Sequence, residues 1–242
     1  MVDVIEGLGR YRRKIYIVMP EHTVIQQAVY FHGSPGEGGE LAEKLGGRMA
    51  GQLKDARAGL AILEVEDWNR DLSPWRAQGI SAEAGDFAGS GREYLEDLCS
   101  EVIPGLEKKY GWDCSGFRRI LGGYSMGGLF ALFAVLENSF FQDMISVSGS
   151  LWYDGIMEYL SKDTQGEGLA LSRERRAYFS LGKREPKSRN PRMAKVGKQT
   201  EAILEMLKVQ GFSVYFEWNP GSHFQEALER MEQGISYMIK ND

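Results

Sequence analysis

Short apolar stretches rich in β-branched and aromatic residues alternate along the chain with longer stretches of helical periodicity. Lys14-Ile15-Tyr16-Ile17-Val18 and Ala28-Val29-Tyr30-Phe31 predict β-strands, and the second runs into the glycine-rich loop His32-Gly33-Ser34-Pro35-Gly36. Leu41 to Leu53 predicts a helix, and Gly59 to Val65 a buried strand feeding a loop from Glu66 to Trp75. Tyr94, Leu95, Leu98, Val102 and Ile103 then recur at helical spacing, while Pro104 predicts a kink or a stop before Tyr110. The second half repeats the theme. Phe117–Leu121 reads as strand and Leu129–Leu136 as helix. Met144–Ser148 and Ala177–Leu181 are two more strands, with a helix around Ile156–Leu160 between them. A helix over Met193–Val209, a last strand over Ser213–Trp218 and a terminal helix over Phe224–Ile239 complete the pattern.

Strands alternating with helices over the whole length predict an α/β protein: a mostly parallel central sheet with helices on both faces. No linker interrupts the alternation, so a single domain over residues 1–242 is the expectation. Hydrophobic residues at 43% and charged ones at 26% fit a soluble globular chain, and no apolar run approaches the ~20 residues of a membrane span. A net charge of −5 weighs against nucleic acid as a partner. The acidic start Met1–Glu6 has neither a basic nor an apolar leader region, which sets a cytoplasmic location as the expectation. Cys99 and Cys114 form no disulfide or metal framework and are expected to be structural thiols.

Chemistry enters at Gly122-Gly123-Tyr124-Ser125-Met126-Gly127-Gly128, where G-x-S-x-G lies between a predicted strand and a predicted helix. In that context the motif is a nucleophile elbow. The serine takes a strained backbone conformation that lifts its hydroxyl off the sheet, and the flanking glycines keep side chains out of its way. A bare pentapeptide recurs by chance in a glycine-rich chain, so partners must support it.

A serine hydroxyl needs a base to take its proton and a third group to fix that base's tautomer. Three histidines are available. His22 falls in a polar turn between early strands and is read as solvent-exposed. His223 lies in Asn219-Pro220-Gly221-Ser222-His223-Phe224, between the last strand and the last helix, at the carboxyl edge where ligands bind in such sheets. It is the candidate base. The acid is sought between the two, just beyond a strand, and Glu185 in Gly182-Lys183-Arg184-Glu185-Pro186 fits better than Asp154 or Asp163. Two N–H groups are needed for the oxyanion. Met126 supplies one, and His32-Gly33-Ser34 resembles the H-G-x segment of lipases and esterases, making Ser34 the second and His32 a brace for the loop.

With these segments in this order, the chain resembles the putative-esterase family of α/β-hydrolases, which includes enterobactin-type siderophore esterases and, more distantly, S-formylglutathione hydrolases and mycolyltransferases. Gly123–Leu129, Ser148-Gly149-Ser150-Leu151-Trp152, Gly182–Glu185 and Gly221-Ser222-His223 carry the likeness over nearly the whole chain. It implies the α/β-hydrolase fold and a serine esterase in which Ser125 attacks, His223 shuttles the proton and Glu185 orients it, with no metal or organic cofactor. Some siderophore esterases resemble a Ser–His pair alone, which leaves the acid open. The substrate is expected to be a small-molecule ester, with His32, Trp68, Trp75 and Trp152 as candidate contacts. Acyl transfer to an alcohol and peptide cleavage fit the same site. A hydrolase-like protein that binds without turnover is the alternative of another class. The basic run Lys183, Arg184, Lys187, Arg189, Arg192, Lys195 and Lys198 reads as a solvated face.

Overall fold

The computed structural model describes residues 2–10, 13–81, 85–112, 116–163 and 174–240. Eight strands form one sheet in the order β1-β2-β4-β3-β5-β6-β7-β8. They are β1 (Val2–Glu6), β2 (Lys14–Val18), β3 (Gln27–Gly33), β4 (Ala58–Glu64), β5 (Arg118–Tyr124), β6 (Asp143–Val147), β7 (Arg175–Gly182) and β8 (Phe212–Asn219). β1 and β2 run antiparallel to their neighbours, and every pairing from β4 to β8 is parallel. This is the α/β architecture that the alternating pattern predicts.

Strand periodicity divides the core in two. In β3, Ala28 and Tyr30 face one layer while Val29 and Phe31 face the other, and in β4 Ala61 and Leu63 alternate in the same way with Leu60 and Ile62. Helices α1 (Gly38–Asp55) and α8 (Ala227–Lys240) cover the second face, with Ala42, Leu45, Met49 and Leu53 of α1 forming a buried stripe. On the first face lie α3 (Gly91–Asp97), α4 (Ile103–Tyr110), α5 (Met126–Glu137), α6 (Ile156–Asp163) and α7 (Val196–Val209). The α5 residues Met126 to Leu136 are all buried, as a helix apolar on every side must be.

Three departures from the expected elements have local causes. Strand β1 was not anticipated, because only Ile5 of its five residues is buried and an edge strand so exposed has little apolar alternation. The loop after β4 contains a short helix, α2 (Trp68–Asp71), capped by the Asp67 carboxylate, which accepts from the Asn69 and Arg70 N–H groups. The expected kink near Pro104 is a π-helical turn over Leu98–Val102. It lets Pro104 fall in the first turn of α4, where a missing N–H costs nothing. Cys99 is a half-buried free thiol, pushed up to about 11 by burial, while Cys114 lies outside the described residues. Among the described residues no helix is long and apolar enough to cross a membrane.

Candidate active site

The five parallel connections place the loops after β3, β4, β5, β6, β7 and β8 along one edge of the sheet, and the chemistry collects there. Strand β5 ends at Tyr124, and Ser125 caps α5 with φ 55° and ψ −116°, a conformation L-residues rarely adopt. The surroundings hold it there. The Ser125 N–H donates to the Val147 carbonyl at 3.0 Å, and its carbonyl accepts from the Ser150 N–H at 2.9 Å. A Cβ on Gly123 would stand 2.5 Å from the Gly127 backbone, so this turn closes only around glycine.

The Ser125 Oγ lies 3.1 Å from His223 Nε2, and His223 Nδ1 lies 2.8 Å from Glu185 Oε2. Residues separated by tens of positions thus form one continuous hydrogen-bonded path. Glu185 begins the single-turn helix Glu185–Lys187 just beyond β7. Its side chain is 6% exposed and that of His223 is 16% exposed. The other carboxylate oxygen, Oε1, accepts from the Gly182 N–H at 2.6 Å and the Ser148 hydroxyl at 2.8 Å. Burial pushes the Glu185 carboxyl up. The hydrogen bond and charge of His223, with the Gly182 and Ser148 bonds, outweigh burial and hold the carboxyl below its usual range.

Met126 is the first residue of α5, so its N–H has no partner within the helix. β3 pairs in parallel with β5 as far as Phe31 opposite Gly122. Ser34 follows Phe31 by three residues, as Ser125 follows Gly122. His32 corrects one expectation. Its side chain is 1% exposed and packed among Tyr94 and Phe130, so it is enclosed in the core rather than presented to a ligand. Burial pulls its pKa to about 3, and the neutral ring donates from Nδ1 to the Gly122 carbonyl at 3.0 Å, tying the end of β3 to β5.

The tryptophans separate as well. Trp75 is committed to packing rather than to a substrate: its Nε1 donates to the Asp154 carbonyl at 2.8 Å and its ring lies against Tyr153 and Tyr159. Trp152 is buried, with Phe87 against it and the Arg192 guanidinium over its face. Trp68 is half-buried over the first turn of α5, its Cη2 3.7 Å from the point a Gly127 Cβ would occupy. His22 is exposed in a turn, with φ 54°. Arg192 leaves the basic face to bond the Gln78 and Gly79 carbonyls and pair with Asp154, while Lys183, Arg184, Lys187, Arg189, Lys195 and Lys198 are exposed.

Four further residues stand at the site. Ser150 places its Oγ 3.1 Å from that of Ser125. Ser148 and Arg230 stand behind Glu185, with the Arg230 Nη1 3.0 Å from Ser148 Oγ. Phe224 is 85% exposed with its ring edge-on to His223, whose other neighbour is the Tyr124 ring. Ser148 and Ser150 lie in a segment that carries the family likeness, and Arg230 is marked by a charge on the stripe of α8 that otherwise buries Gly234, Ile235, Met238 and Ile239.

Several known proteins are similar to this chain. A curated relative, an uncharacterized protein YbbA of Bacillus subtilis (strain 168), is 31% identical over 157 residues, which is 64% of this chain and 61% of that protein. The chain therefore spans under two thirds of that relative's length. Among solved structures, an IroE-like serine hydrolase from Shewanella oneidensis superposes with a TM-score of 0.76 at 16% identity, covering 98% of this chain and 80% of that one. The siderophore hydrolase EstA from Aspergillus nidulans gives 0.74 at 17% identity, over 99% and 93% of the two chains. At such identities the likeness establishes the fold, that of the α/β-hydrolases. The family model described as Putative esterase matches residues 42–234, from the first helix through the nucleophile elbow to the helix after His223. The chain belongs to the Putative esterase family of α/β-hydrolases.

Proposed function

We propose that this protein is a serine esterase that hydrolyses a small-molecule carboxylic ester through an acyl-enzyme. The observation that carries the reading is the unbroken path from the strained Ser125 hydroxyl through His223 to the Glu185 carboxylate. As Ser125 Oγ bonds to the carbonyl carbon, its proton passes to His223 Nε2, and Glu185 stabilises the imidazolium while fixing the tautomer that leaves Nε2 free to accept. The carbonyl oxygen becomes an oxyanion, for which the Met126 and Ser34 N–H groups are the donors in this reading. Collapse breaks the bond to the alcohol, which takes the proton from His223. Water then attacks the acyl group, giving its proton to the same nitrogen, and the acid leaves as Ser125 recovers its hydrogen.

The half-buried Trp68 beside Gly127 and the exposed Phe224 beside His223 are aromatic surfaces suited to an ester with an apolar or aromatic portion. Related folds named as siderophore hydrolases make siderophore esters one class for a substrate screen, beside aryl esters and thioesters. The test is covalent. A fluorophosphonate probe should label Ser125, and Ser125→Ala should abolish both labelling and turnover of a short p-nitrophenyl ester in folded protein. Turnover retained by the variant would identify another nucleophile, and a folded wild type that resists labelling would mark a binding protein.

A further inference from the structure

Arg230 sits on the buried stripe of α8, one turn before Gly234, and is 1% exposed. Taking a guanidinium out of water costs several kcal/mol unless its contacts return it, and a methionine or leucine would pack here without that cost. The contacts it makes are specific. Nη1 donates to the Ser148 hydroxyl oxygen at 3.0 Å and lies 3.5 Å from Glu185 Oε1. Nη2 donates to the carbonyls of Pro220, at 2.5 Å, and Ser222, at 3.0 Å.

These partners belong to the two halves of one catalytic contact. Ser148 accepts from Arg230 and hands its own hydrogen to Glu185 Oε1 at 2.8 Å, so it relays the guanidinium's position to the carboxylate. Pro220 and Ser222 flank Gly221 in the loop that delivers His223. The backbone is cut to fit: a Cβ on Gly182 would come within 3.0 and 3.1 Å of Nη2 and Nη1 and 2.7 Å of the Gly221 carbonyl. The planar, five-donor fork of arginine suits a site with donors required in two directions, and a point-like ammonium covers only part of it.

We infer that Arg230 is a positioning residue of the hydrolysis, a single rigid group that registers the Glu185 carboxylate against the His223 loop and so presents Oε2 to Nδ1. The inference rests on the reading of Ser125, His223 and Glu185 as the reacting set. Its test is a double-mutant cycle on kcat and KM for p-nitrophenyl acetate, with thermal melts of every variant.

Arg230→Met should lower kcat by about 10- to 100-fold with KM nearly unchanged, and Arg230→Lys should restore part of the loss. In a Glu185→Gln background, Arg230→Met should cost no more than about threefold further, because the contact it serves is already spoiled. A folded Arg230→Met with kcat within about threefold of wild type overturns the inference, as does a penalty that multiplies in full with that of Glu185→Gln. Should Arg230→Met fail to fold, Arg230→Lys and Ser148→Ala carry the same cycle. Ser148→Ala removes the relay and keeps the charge, and wild-type kcat in it would equally overturn the inference. Wild-type protein without turnover of any ester is a different failure, that of the esterase reading itself.

Discussion

Replacing Glu185 by glutamine changes one atom of the site and tests the tautomer argument directly. Which end of the new amide faces His223 is decided by the other partners. Oε1 receives the Gly182 backbone N–H at 2.6 Å and has the Arg230 Nη1 at 3.5 Å, neither of which can turn into an acceptor. The amide oxygen must therefore take the Oε1 position, which directs the NH2 at Nδ1 of His223. Facing a donor, Nδ1 becomes an acceptor, the ring proton moves to Nε2, and Nε2 can no longer take the hydrogen of Ser125. The expected loss in kcat is up to ~10⁴, or about 5.4 kcal/mol at about 1.36 kcal/mol per decade, with KM little changed. Steady-state hydrolysis of p-nitrophenyl acetate near neutral pH, with a thermal melt to verify folding, measures it. A folded variant that loses less than about threefold refutes the assignment and points to another acid or to a Ser–His pair.

The backbone of the elbow and the titration of Glu185 give further tests. Gly123→Ala puts a Cβ 2.5 Å from the Gly127 backbone, so it should destabilise the fold by ~1–3 kcal/mol and displace Ser125, and a urea titration showing neither loss of stability nor loss of turnover would contradict the packing described. Glu185 has its folded pKa depressed, so its charge contributes stability that is complete above the unfolded carboxyl value, about 4.3, and disappears as pH falls through the lower folded value. The gap in urea midpoint between wild type and Glu185→Gln should narrow as pH drops from 7 to 3. A gap that stays constant across that range would mean the carboxylate is not held as described.

Much of this protein is legible in its local pattern. The continuous apolar runs of β3 and β4, buried on both faces, and the one-sided stripe of α1 mark strand and helix because burial demands those patterns. The elbow is equally local at Gly123, where a Cβ would meet the Gly127 backbone four residues on. Ser125, His223 and Glu185 can be named from turns at the ends of strands, since a parallel sheet sends all such turns to one edge. What periodicity could not reach depends on distances through space. That His32 is walled in by Tyr94 and Phe130, that Trp75 spends its face on Tyr153 and Tyr159, and that Arg230 reaches from the second-face helix into the Glu185 site follow from how α3, α5, α6 and α8 stack on the sheet. A tryptophan or histidine in a loop has the same sequence neighbourhood whether it meets solvent or core. Only packing, which sums contacts from remote segments, decides between them.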